Sequence, residues 1–300
     1  MPIVDADSAI RELPLSPIVA GAWRMASWEW TAQQRLTWIE GCIELGVTSF
    51  DHADIYGGYT VEALFGEALA LAPSLRSKLQ LVTKCGIQLV SEARPHTTIK
   101  HYDTSARHIA ESVEQSLRNL RTDVIDLLLL HRPDPLLDAD DVAEVFESLR
   151  ASGKVKRFGV SNFSPAQFAL LDSRVSLVTN QIEWHPLHSA PLTDGTLDQC
   201  QQLRVRPMIW SPLGGGSLFT SESDAAVRVR QLLSMIGADR GVDAATIAYA
   251  WLMRHPSRAI PIAGSRRLES VRQAMAATGL TLDAQEWTAI HVAALGRNVP

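Results

Sequence analysis

Short apolar runs recur along the chain, and each is followed by a stretch in which apolar residues return every three or four positions. The runs are Ile18–Trp23, Thr48–Asp51, Leu79–Lys84, Ile125–His131, Phe158–Ser161, Leu177–Gln181, Arg206–Trp210 and Ala259–Ile262. Short runs bounded by turn residues read as strands. The fourth is apolar from Ile125 to Leu130 except for Asp126, the pattern of a parallel strand covered on both faces. Helical patterns lie at about residues 32–45, 60–70, 105–121, 140–151, 165–173, 195–203 and 225–237. Two more, 243–254 and 266–276, bracket the last strand, and 283–294 follows. Thr31 is placed to cap the first helix and Gly46 to end it.

Strands alternating with helices predict parallel βαβ units. Eight such units, with no linker rich in Pro, Ser or charge, predict a single (β/α)₈ TIM barrel domain over residues 1–300, a length normal for that fold. The chief irregularity is the segment Gly86 to Asp103, too long for an ordinary βα connection and carrying Arg94, His96, Lys100 and His101. Loops of that length are usually functional lids or disordered.

Composition narrows the partners. The chain is 46% hydrophobic and 20% charged, as expected of a globular protein with a large core. A net charge of −5 and a pI near 6.0 provide no basic excess for nucleic acid. No apolar run is long enough to span a membrane. Met1 to Asp7 is acidic and lacks the start of a secretory signal, and Cys42, Cys85 and Cys200 form an odd set without C-x-x-C spacing. The expectation is a cytoplasmic protein without a disulfide framework or zinc site, Cys85 serving as a small buried hydrophobe.

Barrels carry their chemistry at the C-terminal ends of the strands. The residues there are Asp51, with Tyr56 just beyond it, Lys84, His131, Ser161-Asn162, Gln181 and Trp210. Taken singly, a Lys after a strand is a solvated cap, a His is structural and a Tyr in a glycine-rich loop is packing. Converging at one mouth, Asp51, Tyr56, Lys84 and His131 are chemically complementary. A tyrosine is a poor acid near neutrality unless its phenolate is stabilised, and an ammonium does that. Asp51 keeps that ammonium charged, and His131 can orient a carbonyl oxygen. Together they form a proton donor to a developing alkoxide. Neither a G-x-G-x-x-G nor a P-loop sequence follows a strand. Ser211-Pro212-Leu213-Gly214-Gly215-Gly216-Ser217 and Gly264-Ser265-Arg266-Arg267 follow the last two strands, where barrels often bind phosphate; the arginine pair also reads as an exposed basic turn.

The ordered series Gly21-Ala22-Trp23, Phe50 to Gly57, Lys84, Asp126 to His131, Gly159 to Phe163, Asn180 to Pro186, Trp210 to Gly216 and Ile260 to Ser265 resembles the aldo-keto reductase family over nearly the whole chain. Asp51 to Tyr59 and His131 to Pro135 resemble a bacterial branch of it. The resemblance implies a catalytic tetrad of Asp51, Tyr56, Lys84 and His131, with Tyr56 as general acid, acting on a small carbonyl substrate with NADP(H). It implies cofactor contacts from Gly21 and Trp23, from Ser161, Asn162 and Gln181 to the nicotinamide carboxamide, and from Trp210 to the nicotinamide ring. Ser211, Pro212, Leu213, Gly214, Gly215 and Ser217 would face the pyrophosphate, and Gly264, Ser265 and Arg266 the 2′-phosphate. Where the family commonly has an arginine this chain has Ser270, leaving Arg266, Arg267 or Arg272 for that phosphate.

Two alternatives stay open from sequence. One is a metal-dependent barrel hydrolase using His52, Asp54 and His131. The other is a non-catalytic, NADP(H)-binding regulatory subunit, since fold does not settle function. Trp23, Trp28, Trp30 and Trp184 read either as an aromatic pocket wall or as core.

Overall fold

The computed structural model describes residues 11–300; the expectation for Met1 to Asp7 lies outside them. In chain order the strands are β1 (Val19–Gly21), β2 (Ser49–Asp51), β3 (Gln80–Cys85), β4 (Ile87–Gln88), β5 (His101–Tyr102), β6 (Leu127–Leu130), β7 (Phe158–Ser161), β8 (Leu177–Glu183), β9 (Met208–Trp210) and β10 (Ile260–Ala263). All except β4 and β5 pair in parallel and close into one barrel in the order β1-β2-β3-β6-β7-β8-β9-β10. These eight are the strands the apolar runs predict. A helix follows or precedes each, and together they sheathe the barrel, from Ala32–Glu44 to Ala284–Leu295.

Side chains alternate along a strand, so residues two apart share a side. Val19, Val82, Leu127, Leu129, Met208, Ile260 and Ile262 pack together as one buried cluster inside the barrel. Two residues further along the same rows come Gly21, Lys84, His131, Trp210 and Gly264. The period of the strands alone therefore brings these positions to the inner rim at one end. The ladder continues past β6, with His131 N–H donating to Cys85 O at 2.8 Å.

Asp126 interrupts the apolar run because it has work below the barrel. Its carboxylate accepts from Leu81 N–H (2.9 Å), Arg76 Nη2 (2.9 Å) and Lys156 Nζ (2.7 Å). A buried carboxylate costs less when its lone pairs are filled in this way. The strand itself then begins one residue later, at Leu127.

The helix ends follow local chemistry. Thr31 and Gln34 form a reciprocal capping box, as Ser164 with Gln167 and Asp283 with Glu286 also do. Gly46 follows the first helix with φ +86°. The long segment after β3 is not a bare loop: β4 and β5 pair antiparallel, Ile87 opposite Tyr102 and Gln88 opposite His101. This hairpin has no clear strand signal because its two-residue strands carry too little pattern. Likewise, the glycine-rich stretch after β9 folds into a tight turn, Gly214–Gly216, and a short helix, Ser217–Thr220.

Two of the sheathing helices approach closely at one glycine. A Cβ placed on Gly66, in helix Val61–Leu69, would lie 2.0 Å from Asn119 O in helix Ala106–Leu120. Backbone cannot yield there as a flexible side chain would. Gly66→Ala is expected to lower stability by about 1–3 kcal/mol, the usual cost of overpacking. Urea unfolding measures it, and an unchanged midpoint would disprove this account of the contact.

Candidate active site

The inner rim meets at Lys84. Its Nζ is buried and donates to Asp51 Oδ2 (2.8 Å), Asp51 Oδ1 (2.9 Å), His52 O (2.8 Å) and Tyr56 OH (3.1 Å). Gln181 Nε2, from across the barrel, donates to the same Asp51 Oδ1 at 2.8 Å. The turn 54–59 brings Tyr56 back over the mouth, so its ring stands edge-on to His131 with centroids 5.8 Å apart. Gly57 and Gly58 both have positive φ in that turn, which is why the chain can reverse there. Tyr59 OH accepts from Leu89 N–H at 2.9 Å, tying the turn to the β4–β5 hairpin.

Burial sets the protonation states. Burial pushes the Lys84 ammonium down, but Asp51 and then Tyr56 outweigh it and the net shift is upward. Burial raises the Tyr56 hydroxyl, and the pull of Lys84 only partly offsets this. Tyr56 is therefore protonated near neutrality, and Lys84 is placed to stabilise its conjugate base. Burial, followed by Lys84, Arg132 and Lys100, holds His131 well below the usual imidazole range. His131 is neutral at pH 7, and its buried Nδ1 has no protein partner.

A cleft of about 740 Å³ opens onto this group. Of the predicted residues, Gly21, Trp23, Asp51, Tyr56, His131, Ser161, Asn162, Gln181, Trp210, Ser211, Pro212, Leu213, Gly215, Gly264 and Ser265 line it. Lys84 lies directly beneath, hydrogen-bonded to two of them. Gly214 and Ser217 do not line the cleft; Ser217 Oγ donates to Gly214 O at 2.8 Å and shapes the turn. Arg266 and Arg272 do not line the cleft, Arg272 pairing with Glu269 instead, whereas Arg267 and Ser270 do.

The mouth is organised by a short chain of hydrogen bonds. Ser161 Oγ donates to Gln181 O (2.9 Å), Asn162 Nδ2 to Ser161 Oγ (2.7 Å) and Trp210 Nε1 to Asn162 Oδ1 (2.9 Å). Asn162 and Ser211 both adopt positive φ, uncommon for non-glycine residues and frequent at functional sites. Of the tryptophans, Trp23 lines the cleft at 58% exposure, while Trp28 and Trp184 are buried core and Trp30 packs against it. Arg24, Lys100 and Arg132 also line the cleft. Sequence reasoning did not single out Arg24 or Arg132, although each directly follows a predicted site residue.

His52, Asp54 and His131 are not brought together. The His52 ring packs on Phe65, with centroids 4.4 Å apart. Among the described residues no group of three or more His, Cys, Asp or Glu is arranged to hold a metal ion. Nor is any described helix long and apolar enough to cross a membrane.

The structure is thus a closed parallel barrel with an Asp–Lys–Tyr–His group at its C-terminal mouth and a cleft beside it. The aldo/keto reductase family model matches residues 17–294, and the chain belongs to that family. It is similar to oxidoreductase YdhF of Escherichia coli, at 52% identity over 95% of each chain. It is also similar to a 6-dehydroglucose reductase of Agrobacterium fabrum, at 47% identity over 96% of this chain and 97% of the relative. A Klebsiella pneumoniae aldo/keto reductase solved with NADP and acetate superposes with a TM-score of 0.74 at 27% identity, over 91% of this chain and 89% of that one. The chain is an oxidoreductase of this family, within the bacterial branch that its Asp51–Tyr59 segment suggested.

His52 provides a test of the buried environment. Burial first, then Lys84, pushes its imidazole down to about 3, so the folded state refuses a proton that the unfolded chain takes up near pH 6.5. That contribution to stability is complete above pH 6.5 and is lost as the pH falls towards 3. His52→Leu keeps the backbone carbonyl that accepts from Lys84. Relative to wild type it should gain about 1.4 kcal/mol per pH unit below pH 6.5. Parallel denaturation curves for the two proteins over that range would contradict the assignment.

Proposed function

We propose that the chain reduces aldehydes or ketones to alcohols with NADPH, and that Tyr56 is the general acid. The observation that carries this is the Lys84 ammonium, held by Asp51 and 3.1 Å from the Tyr56 hydroxyl at the floor of the cleft.

The residues along the cleft fit an elongated dinucleotide. Ser161, Asn162 and Gln181 offer amide and hydroxyl groups at one end, with the half-buried Trp210 indole beside them. Ser211, Leu213 and Gly215 line the middle. Gly21 lines the wall beside Ile262, and a Cβ there would lie 2.9 Å from Ile262 Cγ2. At the far end Ser265, Arg267 and Ser270 gather at the N-terminus of helix Leu268–Ala276, a place suited to a phosphate monoester. In this reading Arg267 replaces Arg266 and Arg272 as the phosphate's arginine. When bound, the reduced nicotinamide supplies hydride to the carbonyl carbon.

The chain's own residues handle the oxygen. Neutral His131 holds the carbonyl oxygen by a hydrogen bond, and the Tyr56 O–H points the proton at it. As negative charge grows on that oxygen, Tyr56 transfers its proton. The phenolate left behind is stabilised by Lys84, whose charge Asp51 maintains. Gln181 donates to Asp51 and keeps the carboxylate turned towards Lys84. A regulatory role without catalysis leaves this matched set of acid, cation and anion without purpose.

Tyr56→Phe should reduce kcat by about 10²–10⁴-fold, the range of a lost general acid, while NADPH still quenches tryptophan fluorescence at wild-type concentrations. Retained turnover by that variant would refute the mechanism. Arg267→Ala should weaken NADPH binding by about tenfold and NADH binding much less, in line with one charge-assisted contact to a phosphate. Equal losses for the two nucleotides would remove Arg267 from the 2′-phosphate.

A further inference from the structure

Four cations line the cleft of a chain whose net charge is −5: Arg24, Lys100, Arg132 and Arg267. Asp51 is the carboxylate among the lining residues, and Lys84 already neutralises it. Two of the cations are accounted for. Arg267 stands at the end assigned to the nucleotide phosphate. Arg24 donates to Gly215 O at 3.1 Å and lies over the Trp23 ring at 5.2 Å.

Arg132 and Lys100 stand at the opposite end, beside His131, and nothing in the reduction described above uses them. Arg132 is half-buried, and its guanidinium sits over the Trp210 ring at 5.7 Å. That indole is itself fixed by Asn162. Lys100 reaches the cleft from the hairpin, just before β5. Among the described residues neither cation is paired with a carboxylate, although Glu183 and Asp194 line a neighbouring hollow that Arg132 shares. Both cations nevertheless act on the His131 imidazole. A planar guanidinium held by an aromatic face, with an exposed ammonium lining the same cleft, suits a carboxylate: one group docks two oxygens and the other adds charge. Ile55 and the hairpin's Ile87 and Leu89 supply apolar wall alongside.

We propose that Arg132 and Lys100 form an oxyanion subsite for the substrate, and that the preferred substrates are aldehydes or ketones bearing a carboxylate a few bonds from the carbonyl. The proposal rests on the carbonyl-reduction reading, and deepens it by naming a substrate class. The positive cleft also raises the encounter rate of anionic substrates at low ionic strength.

The test compares 4-oxobutanoate with butanal, equal in chain length and differing by the carboxylate. Wild type should favour 4-oxobutanoate in kcat/KM by about tenfold at low salt, mainly through KM, and the preference should shrink at high salt. Arg132→Gln should lower the ratio of the two kcat/KM values by about tenfold, and Lys100→Gln, on an exposed segment with little to unfold, should lower it several-fold. A ratio unchanged in both variants overturns the subsite. So does an equal loss for D-glyceraldehyde, which would mean that Arg132 reads hydroxyl groups instead. Should wild type turn over neither aldehyde, carbonyl reduction itself fails. Calorimetric titration of glutarate against glutaramide then still decides the subsite, since only the dianion should bind, and only with Arg132 and Lys100 in place.

Discussion

The ion pair between Lys84 and Asp51 is the constraint on which the rest of the mouth depends. An ammonium buried at the end of a barrel either loses its proton or keeps a carboxylate against it. Here the carboxylate comes from the neighbouring strand, β2, and meets Lys84 of β3 through both oxygens. The two remaining demands of the ammonium are met by His52 O and Tyr56 OH. The pair therefore positions the turn that carries Tyr56, and through Gln181 it also engages β8 on the far side of the barrel. Taking away one partner would strand a buried charge, so the geometry is held more tightly than the worth of any one contact suggests.

The same pair explains how three titratable neighbours differ. Lys84 holds its proton because of Asp51, while its positive charge helps to keep His131 and His52 neutral. Tyr56 stays protonated because burial outweighs the ammonium beside it. An acid, a cation and a neutral hydrogen-bonding ring thus coexist within one small volume near neutral pH. The cleft above them is positive at both ends although the molecule as a whole is negative. A surface of that sign keeps cationic molecules out of the site and draws anions to it. Membership of the aldo/keto reductase family accords with this arrangement, and the relatives at about half identity extend over nearly the full chain.

Much of this architecture was legible in the order of apolar and polar residues. The barrel strands were readable because a strand covered on both faces must be apolar, and because each ended in a turn or a polar group. Thr31 and Gly46 marked the ends of the first helix through chemistry confined to a few adjacent residues. Lys84 and His131 were conspicuous as polar endings of apolar runs. The β4–β5 hairpin was not legible, since its pairing spans residues 87–102 and each strand is too short for any periodicity. Nor could sequence separate Trp23, which lines the cleft, from Trp28 and Trp184, which are core, because the same side chain serves both ends.

What the chain determined by itself was the set of groups and their rows. The two-residue repeat of the strands puts Gly21, Lys84, His131 and Trp210 at one rim wherever a barrel closes. Which of those groups touch was decided only by tertiary structure. The closure and stagger of the barrel bring Gln181 to Asp51, the turn at Gly57-Gly58 carries Tyr56 over Lys84, and the start of helix Leu268–Ala276 places Arg267, rather than Arg266 or Arg272, in the cleft wall. Those choices depend on distances between segments far apart in the chain, which neither composition nor local pattern encodes.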